Sequence, residues 1–347
     1  MPFAVYGLLV AKAVGHFPPS GLVIIPAALL LGAAVFASVH HAEMIALRAS
    51  EPFGSIVLAV AVTIIEVALI VSIMLSAKEG SHVLARDTVY ATVMLVLNGV
   101  VGLCLIIGGA RHHEQSFDTN ASASALSVLG TLAFITLVLP NYTRALPGPV
   151  YVDSQLIFVG TVSIILYGVF LFVQTIRHRD YFLSNDEADK SAHKPSRRTA
   201  LISLGLLCVS LGGVVLLAKF LSPALERAIA SAGLPRGFVG VVIAAIVLLP
   251  EGMAAVRAAR KNQLQASLNL ALGSAMATIG LTIPIVSFVA LVLEQPMTLG
   301  LAPEETALLL LTLFISTVTL ATGRTTILQG SVHFVIFAVF LFLSAVP

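Results

Sequence analysis

The sequence predicts an all-α polytopic membrane protein of about eleven transmembrane helices, built as one extra helix followed by two inverted five-helix repeats. Three observations predict it. Apolar runs of 18 or more residues recur along the 347-residue chain, and each is long enough to cross ~30 Å of hydrocarbon as a helix. One long polar stretch, 177–199, divides ten firm runs into five and five. A lone carboxylate, Glu66 in one part and Glu251 in the other, stands inside an otherwise apolar run.

Composition narrows the class further. The chain is 58% hydrophobic and 10% charged, against about 25% charged in soluble domains. The runs are continuous rather than alternating, which excludes membrane strands. A net charge of +2 without a basic patch leaves nothing for nucleic acid to bind. The two cysteines, Cys104 and Cys208, each sit alone in an apolar run and read as packing residues, not as a thiolate site or a disulfide framework. Met1 leads into an apolar stretch without a basic segment or a small-residue cleavage site, so no cleaved leader is expected.

Residues 1–19 form a short N-terminal segment whose helix over 4–14 carries Lys12 and ends before Pro18 and Pro19. The first repeat, 20–176, contains spans at 21–39, 55–77, 88–109, 124–139 and 154–176. The stretch 177–199 has mixed charge and no apolar period, as expected of a loop. The second repeat, 200–347, contains spans at 200–220, 237–256, 265–293, 305–320 and 326–345. With eleven spans, twelve Lys and Arg residues fall on the long loop's side and seven on the other. That places the long loop in the cytoplasm and the C-terminus outside.

The two parts align weakly. FGSIVLAVAVTIIE at 53–66 lies over FVGVVIAAIVLLPE at 238–251, and ATVMLVLNG at 91–99 lies over ASLNLALGS at 266–274. Five helices is an odd number, so the second unit enters the membrane upside down. Inverted repeats of this kind hold the site of many secondary transporters near the midplane where they meet.

An ionisable group at membrane depth costs ~2.5–3.5 kcal/mol even on lenient insertion scales, and is functional by default. Glu66 and Glu251 are therefore the predicted cation- and proton-binding residues. Thr63 lies three residues before Glu66, on the same helical face. Pro250 cannot donate to the carbonyl of Ile246, and a freed carbonyl beside a carboxylate suits a hard cation. An ion pair between Glu251 and Arg257 is the competing structural reading. Asn98, Asn269, Ser274 and Thr278 are further candidate neutral ligands, on helices whose small residues allow close approach.

Other polar residues read differently. His40, His41 and Glu43 border a span, and Arg48 and Glu51 lie in the loop before the Glu66 run. His112, His113 and Glu114 fall in a loop, and Arg324 reads as a helix-end residue. His333, the one histidine well inside a span, reads as satisfied by an interhelical hydrogen bond in preference to a proton relay.

The stretches 40–70 (HHAEMIALRASEPFGSIVLAVAVTIIEVALI), 248–284 (LLPEGMAAVRAARKNQLQASLNLALGSAMATIGLTIP) and 321–334 (ATGRTTILQGSVHF) together resemble the bacterial calcium/proton antiporters of the cation/calcium exchanger superfamily. The likeness is greatest to the branch described as sodium–potassium/proton or calcium/proton antiporters active at alkaline pH. The resemblance implies the eleven-helix inverted-repeat fold, with a glutamate of each repeat, here Glu66 and Glu251, binding cation and proton in turn. Its Gly-Ser signature falls on Gly273 and Ser274. The chain departs from the family in having Asn98-Gly99 at the matching place of the first repeat, and a long loop with few acids.

The expected activity is export of Ca2+, or of Na+ or K+, in exchange for protons across the inner cell membrane. The partners are then the lipid bilayer, the transported cation and the proton, with no cofactor. No Gly-x-x-x-x-Gly-Lys loop is present, so an ion gradient rather than ATP must drive transport. An Na+/H+ or K+/H+ antiporter that does not carry calcium is the alternative, followed by a cation channel. An intramembrane enzyme lacks its motif.

Overall fold

A computed structural model of the chain describes residue 5 and residues 21–49, 53–76, 81–178, 195–295 and 297–347. Apart from Val5, the helix expected over 4–14 lies outside them, as do Glu51 and most of the loop expected over 177–199.

The first repeat supplies α1 (Gly21–Ala49), α2 (Phe53–Ser76) and α3. Helix α3 is continuous through Ser81–Met94, a π turn at Leu95–Val100, and Val101–His112. It is followed by α4 (Thr119–Tyr142) and α5 (Asp153–Arg177). The second repeat supplies α6 (Arg197–Ser231), α7 (Phe238–Arg260), α8 (Leu264–Val292), α9 (Pro303–Leu320) and α10 (Ile327–Ala345). Nine of these are long and apolar enough to cross a membrane, and α2 contains the shorter apolar stretch Ala59–Ser72.

Several helices outrun their apolar cores. Helix α1 continues to Ala49 and α6 to Ser231, where the runs predicted ends at 39 and 220. Hydropathy marks where hydrocarbon ends, whereas a helix ends where its backbone groups find other partners. In consequence His40, His41 and Glu43 lie within α1, and Arg48, expected in a loop, belongs to its last turn. His112 is likewise the last residue of α3. Ser196 caps α6, accepting from Thr199 N at 3.1 Å, and Asp118 caps α4, accepting from Ala121 N at 2.9 Å.

Contacts between connections reveal how the helices thread. Gln115–Ser116 (β1) pairs antiparallel with Arg324–Thr325 (β2), joining the α3–α4 and α9–α10 connections. Gln115 Nε2 also donates to Asn262 Oδ1 at 2.9 Å, bringing in the α7–α8 connection. On the opposite side, Arg86 at the start of α3 donates to Gly300 O at 3.1 Å, before α9. Leu301 N donates to Leu137 O at 2.9 Å, and Gly300 N to Pro149 O at 3.0 Å, adding the α4–α5 connection. Successive connections thus alternate sides. Arg324 lies in β2, its Nη1 3.8 Å from Glu114 Oε1 in an exposed pair.

Packing follows the repeat. Helix α1 lies along α6, α2 packs on the second part of the chain through α6 and α8, and α7 packs on α3. Helix α10 crosses α3, and α5 makes the matching crossing with α8. Glycines permit both crossings. A Cβ at Gly102 of α3 would lie 3.0 Å from the His333 Cβ of α10, and one at Gly280 of α8 would lie 2.7 Å from the Tyr167 Cβ of α5.

Candidate cation-binding site

The two carboxylates occupy equivalent depths. Each stands thirteen residues after the first residue of its helix, at 66 from 53 and at 251 from 238. At 1.5 Å per residue both fall within about a turn of the helix midpoint, on helices that run in opposite directions.

Glu66 is 2% exposed. Thr278 Oγ1 donates across both its oxygens, 3.1 Å from Oε1 and 3.0 Å from Oε2, and Thr282 Oγ1 donates to Oε2 at 2.6 Å. Both threonines belong to a π turn of α8, Thr278–Thr282. The Thr92 hydroxyl of α3, which donates to Thr88 O at 3.0 Å, also reaches Glu66. Hydroxyls have two acceptor lone pairs besides their one proton. The same threonines can donate to a carboxylate or offer oxygen to a cation that the carboxylate holds.

Glu251 sits within α7 between Pro250, which is buried, and Gly252, and is half-buried. It lies within electrostatic reach of Glu66 and of Glu43. Its Oε2 is buried and has no hydrogen-bond partner among the described residues. No ion pair joins Glu251 to Arg257 among them. Thr63 Oγ1 and Ser274 Oγ are also buried without a partner there. Every polar atom in this set is an oxygen, the donor type that hard cations take.

The candidate neutral ligands divide. Thr278 is bonded to Glu66. Thr63 neighbours Glu66 on α2, and Ser274 lies one turn before Thr278 on α8. Asn98 and Asn269 have other commitments. Asn98 Nδ2 donates to Thr312 Oγ1 at 2.9 Å, its Oδ1 lies 3.2 Å from His333 Nδ1, and Asn269 Oδ1 accepts from Gln265 Nε2 at 2.9 Å. Thr282 was not singled out from sequence, although its spacing of four from Thr278 puts both on one face.

Against protein families, residues 20–176 and 202–346 match the one described as Sodium/calcium exchanger protein. The chain belongs to that family. Its relatives include y4hA of Sinorhizobium fredii (strain NBRC 101917 / NGR234), named as an ionic transporter, which is 54% identical over 343 residues, 98% of this chain and 94% of that protein. The sodium-potassium/proton antiporter ChaA of Escherichia coli (strain K12) is 34% identical over 311 residues, 88% of this chain and 84% of its own. The solved Ca2+/H+ antiporter protein YfkE superposes with a TM-score of 0.75 at 17% identity, covering 100% of this chain and 98% of that one. That likeness shows a common fold. The chain is therefore a multi-pass membrane protein of a family of cation exchangers.

Proposed function

We propose that the chain is a secondary antiporter that exports a cation in exchange for protons, with Glu66 and Glu251 binding cation and proton in turn. One observation carries this reading. A carboxylate held by two threonine hydroxyls and a second carboxylate with an unpartnered oxygen stand at matching depth on oppositely directed helices. Lone charges at that depth are too costly to keep neutralised by lipid alone. A proton or a cation neutralises them.

The chemistry follows from the groups present. When protonated, Glu66 can donate to a threonine oxygen. When ionised, it accepts from Thr278 and Thr282 or binds a cation, with the hydroxyls turned to add oxygen ligands. A carboxylate cannot hold both charges tightly, so cation and proton displace one another. Alternating exposure of the site to the two sides then couples one gradient to the other. Thr63, Ser274 and the free Glu251 oxygen complete the proposed oxygen shell, with Asn98 and Asn269 as supporting residues. The protein resides in the inner membrane with the long loop cytoplasmic, following the Lys and Arg bias.

Two carboxylates neutralise one divalent cation, which favours calcium. The names of ChaA and YfkE support a proton-coupled cation and differ on which one. The test is dissipation of an imposed pH gradient in proteoliposomes on adding Ca2+, Na+ or K+, with Glu66→Gln and Glu251→Gln alongside. Coupled dissipation by the wild type and none by either variant is the expected result. Cation flux without proton movement would replace the antiporter with a channel.

A further inference from the structure

We propose that His333, on α10, is a positioning residue for the cation site, acting through Asn98 on the π turn of α3 that backs Glu251. The inference rests on the exchange reading above and adds a residue remote from both glutamates.

His333 is 1% exposed. Its Nδ1 lies 3.2 Å from Asn98 Oδ1, and its Nε2 lies 3.2 Å from Thr319 Oγ1. An amide oxygen only accepts, so Nδ1 carries the proton. In the neutral ring Nε2 then accepts from the Thr319 hydroxyl. Asn98 Nδ2 donates onward to Thr312 Oγ1 at 2.9 Å, and Thr312 Oγ1 donates to Met94 Sδ at 3.5 Å. The hydrogen bonds all run one way, from α9 through α10 and α3 back to α9 and on to α3. They end on a thioether, which has no proton to pass on. None of these four hydrogen bonds reaches Glu66 or Glu251. The network fixes geometry; it does not conduct protons to the site.

What it fixes is Asn98, inside the π turn Leu95–Val100. A π turn inserts a residue into the helical ladder and is unfavourable without outside support. The turn also meets α7 and α8, and Val100, two residues on from Asn98, lies on a different face from it. Val100 Cγ2 lies 3.3 Å from where a Cβ of Gly252 would stand, next to Glu251. The backbone that carries Glu251 therefore rests on a turn that His333 holds by another face.

The two repeats divide the work unequally. The π turn of α8 touches the opposing glutamate directly, through Thr278 and Thr282. The π turn of α3 instead bonds outward to α9 and α10, leaving Glu251 Oε2 without a protein partner among the described residues. A histidine paired at both nitrogens is a costly way to fill space, since each buried polar atom needs a partner that an apolar side chain would not. Its use here fits registry rather than packing.

The test compares His333→Leu, His333→Gln and Thr319→Val in proteoliposomes. Exchange is assayed with whichever of Ca2+, Na+ and K+ dissipates the pH gradient in the wild type, and rates are scaled to inserted protein. His333→Leu strands the Asn98 oxygen and is expected to raise the half-saturating cation concentration about tenfold, with the maximal rate per inserted protein within about twofold. His333→Gln, which keeps one donor and one acceptor, should recover most of that affinity. Thr319→Val, nearly isosteric, should show a smaller rise if His333→Leu fails to insert. Unchanged half-saturation in His333→Leu or Thr319→Val, or a His333→Gln no better than His333→Leu, would overturn the inference while exchange itself stands. A wild type that couples no cation to protons would overturn the exchange reading beneath it.

Discussion

Thr282 Oγ1 donates to Glu66 Oε2 at 2.6 Å, across 216 residues of sequence and between the two repeats. The carboxylate of one repeat is thus held by the π turn of the other. Thr282→Val keeps shape and removes the donor. It also removes the oxygen proposed to turn to the bound cation, a contact of the order of a charged hydrogen bond at ~1.5–3 kcal/mol, so cation affinity is expected to fall by roughly tenfold or more, with Thr282→Ser close to wild type. Titration of gradient dissipation against cation concentration checks it, and equal affinities for Val and Ser would sink the assignment.

Gly280 lies between the two threonines of that turn, and a Cβ there would stand 2.7 Å from the Tyr167 Cβ and 2.9 Å from its Cγ. Real Cβ atoms do not approach so closely, so Gly280→Ala must push α8 away from α5. The threonines then shift relative to Glu66. Loss of most exchange is expected, with partial recovery in Gly280→Ala combined with Tyr167→Ala. A fully active Gly280→Ala would show that this crossing does not set the site.

Arg86 and Asp87 form a largely buried pair, Nη2 to Oδ1 at 2.7 Å, and Arg86 Nη1 also holds Gly300 O. Removing one partner of such a pair costs on the order of 3 kcal/mol. Arg86→Met should therefore lower the unfolding temperature in detergent and reduce the monodisperse yield. An unfolding temperature equal to the wild type would place the strength of that corner in its backbone bonds instead.

The threading of the connections predicts which positions share a side. Ser116 lies in β1 with the α7–α8 and α9–α10 connections, whereas Ala145 lies in the α4–α5 connection on the other side. In a background without Cys104 and Cys208, Ser116→Cys should react with a membrane-impermeant maleimide only from the cytoplasmic face. Ala145→Cys should react only from the external face. Both labelled from one face would break the inverted threading, and a simple swap would reverse the orientation alone.

Much of this protein is legible in one dimension. The ten runs, the break between repeats and the two glutamates stand out because hydropathy is local and a lone charge in a 20-residue apolar run has no local excuse. The likeness of 53–66 to 238–251 puts Glu66 and Glu251 at matching places, and both stand thirteen residues into their helices. Partners were not legible in the same way. Thr278 and Thr282 meet Glu66, and Asn98 meets His333 and Thr312, through contacts more than 200 residues apart in sequence. In a bundle where every helix is apolar, periodicity does not say which face meets which neighbour. That choice falls to close crossings at Gly102 and Gly280 and to the π turns, and these exist only once the helices have packed.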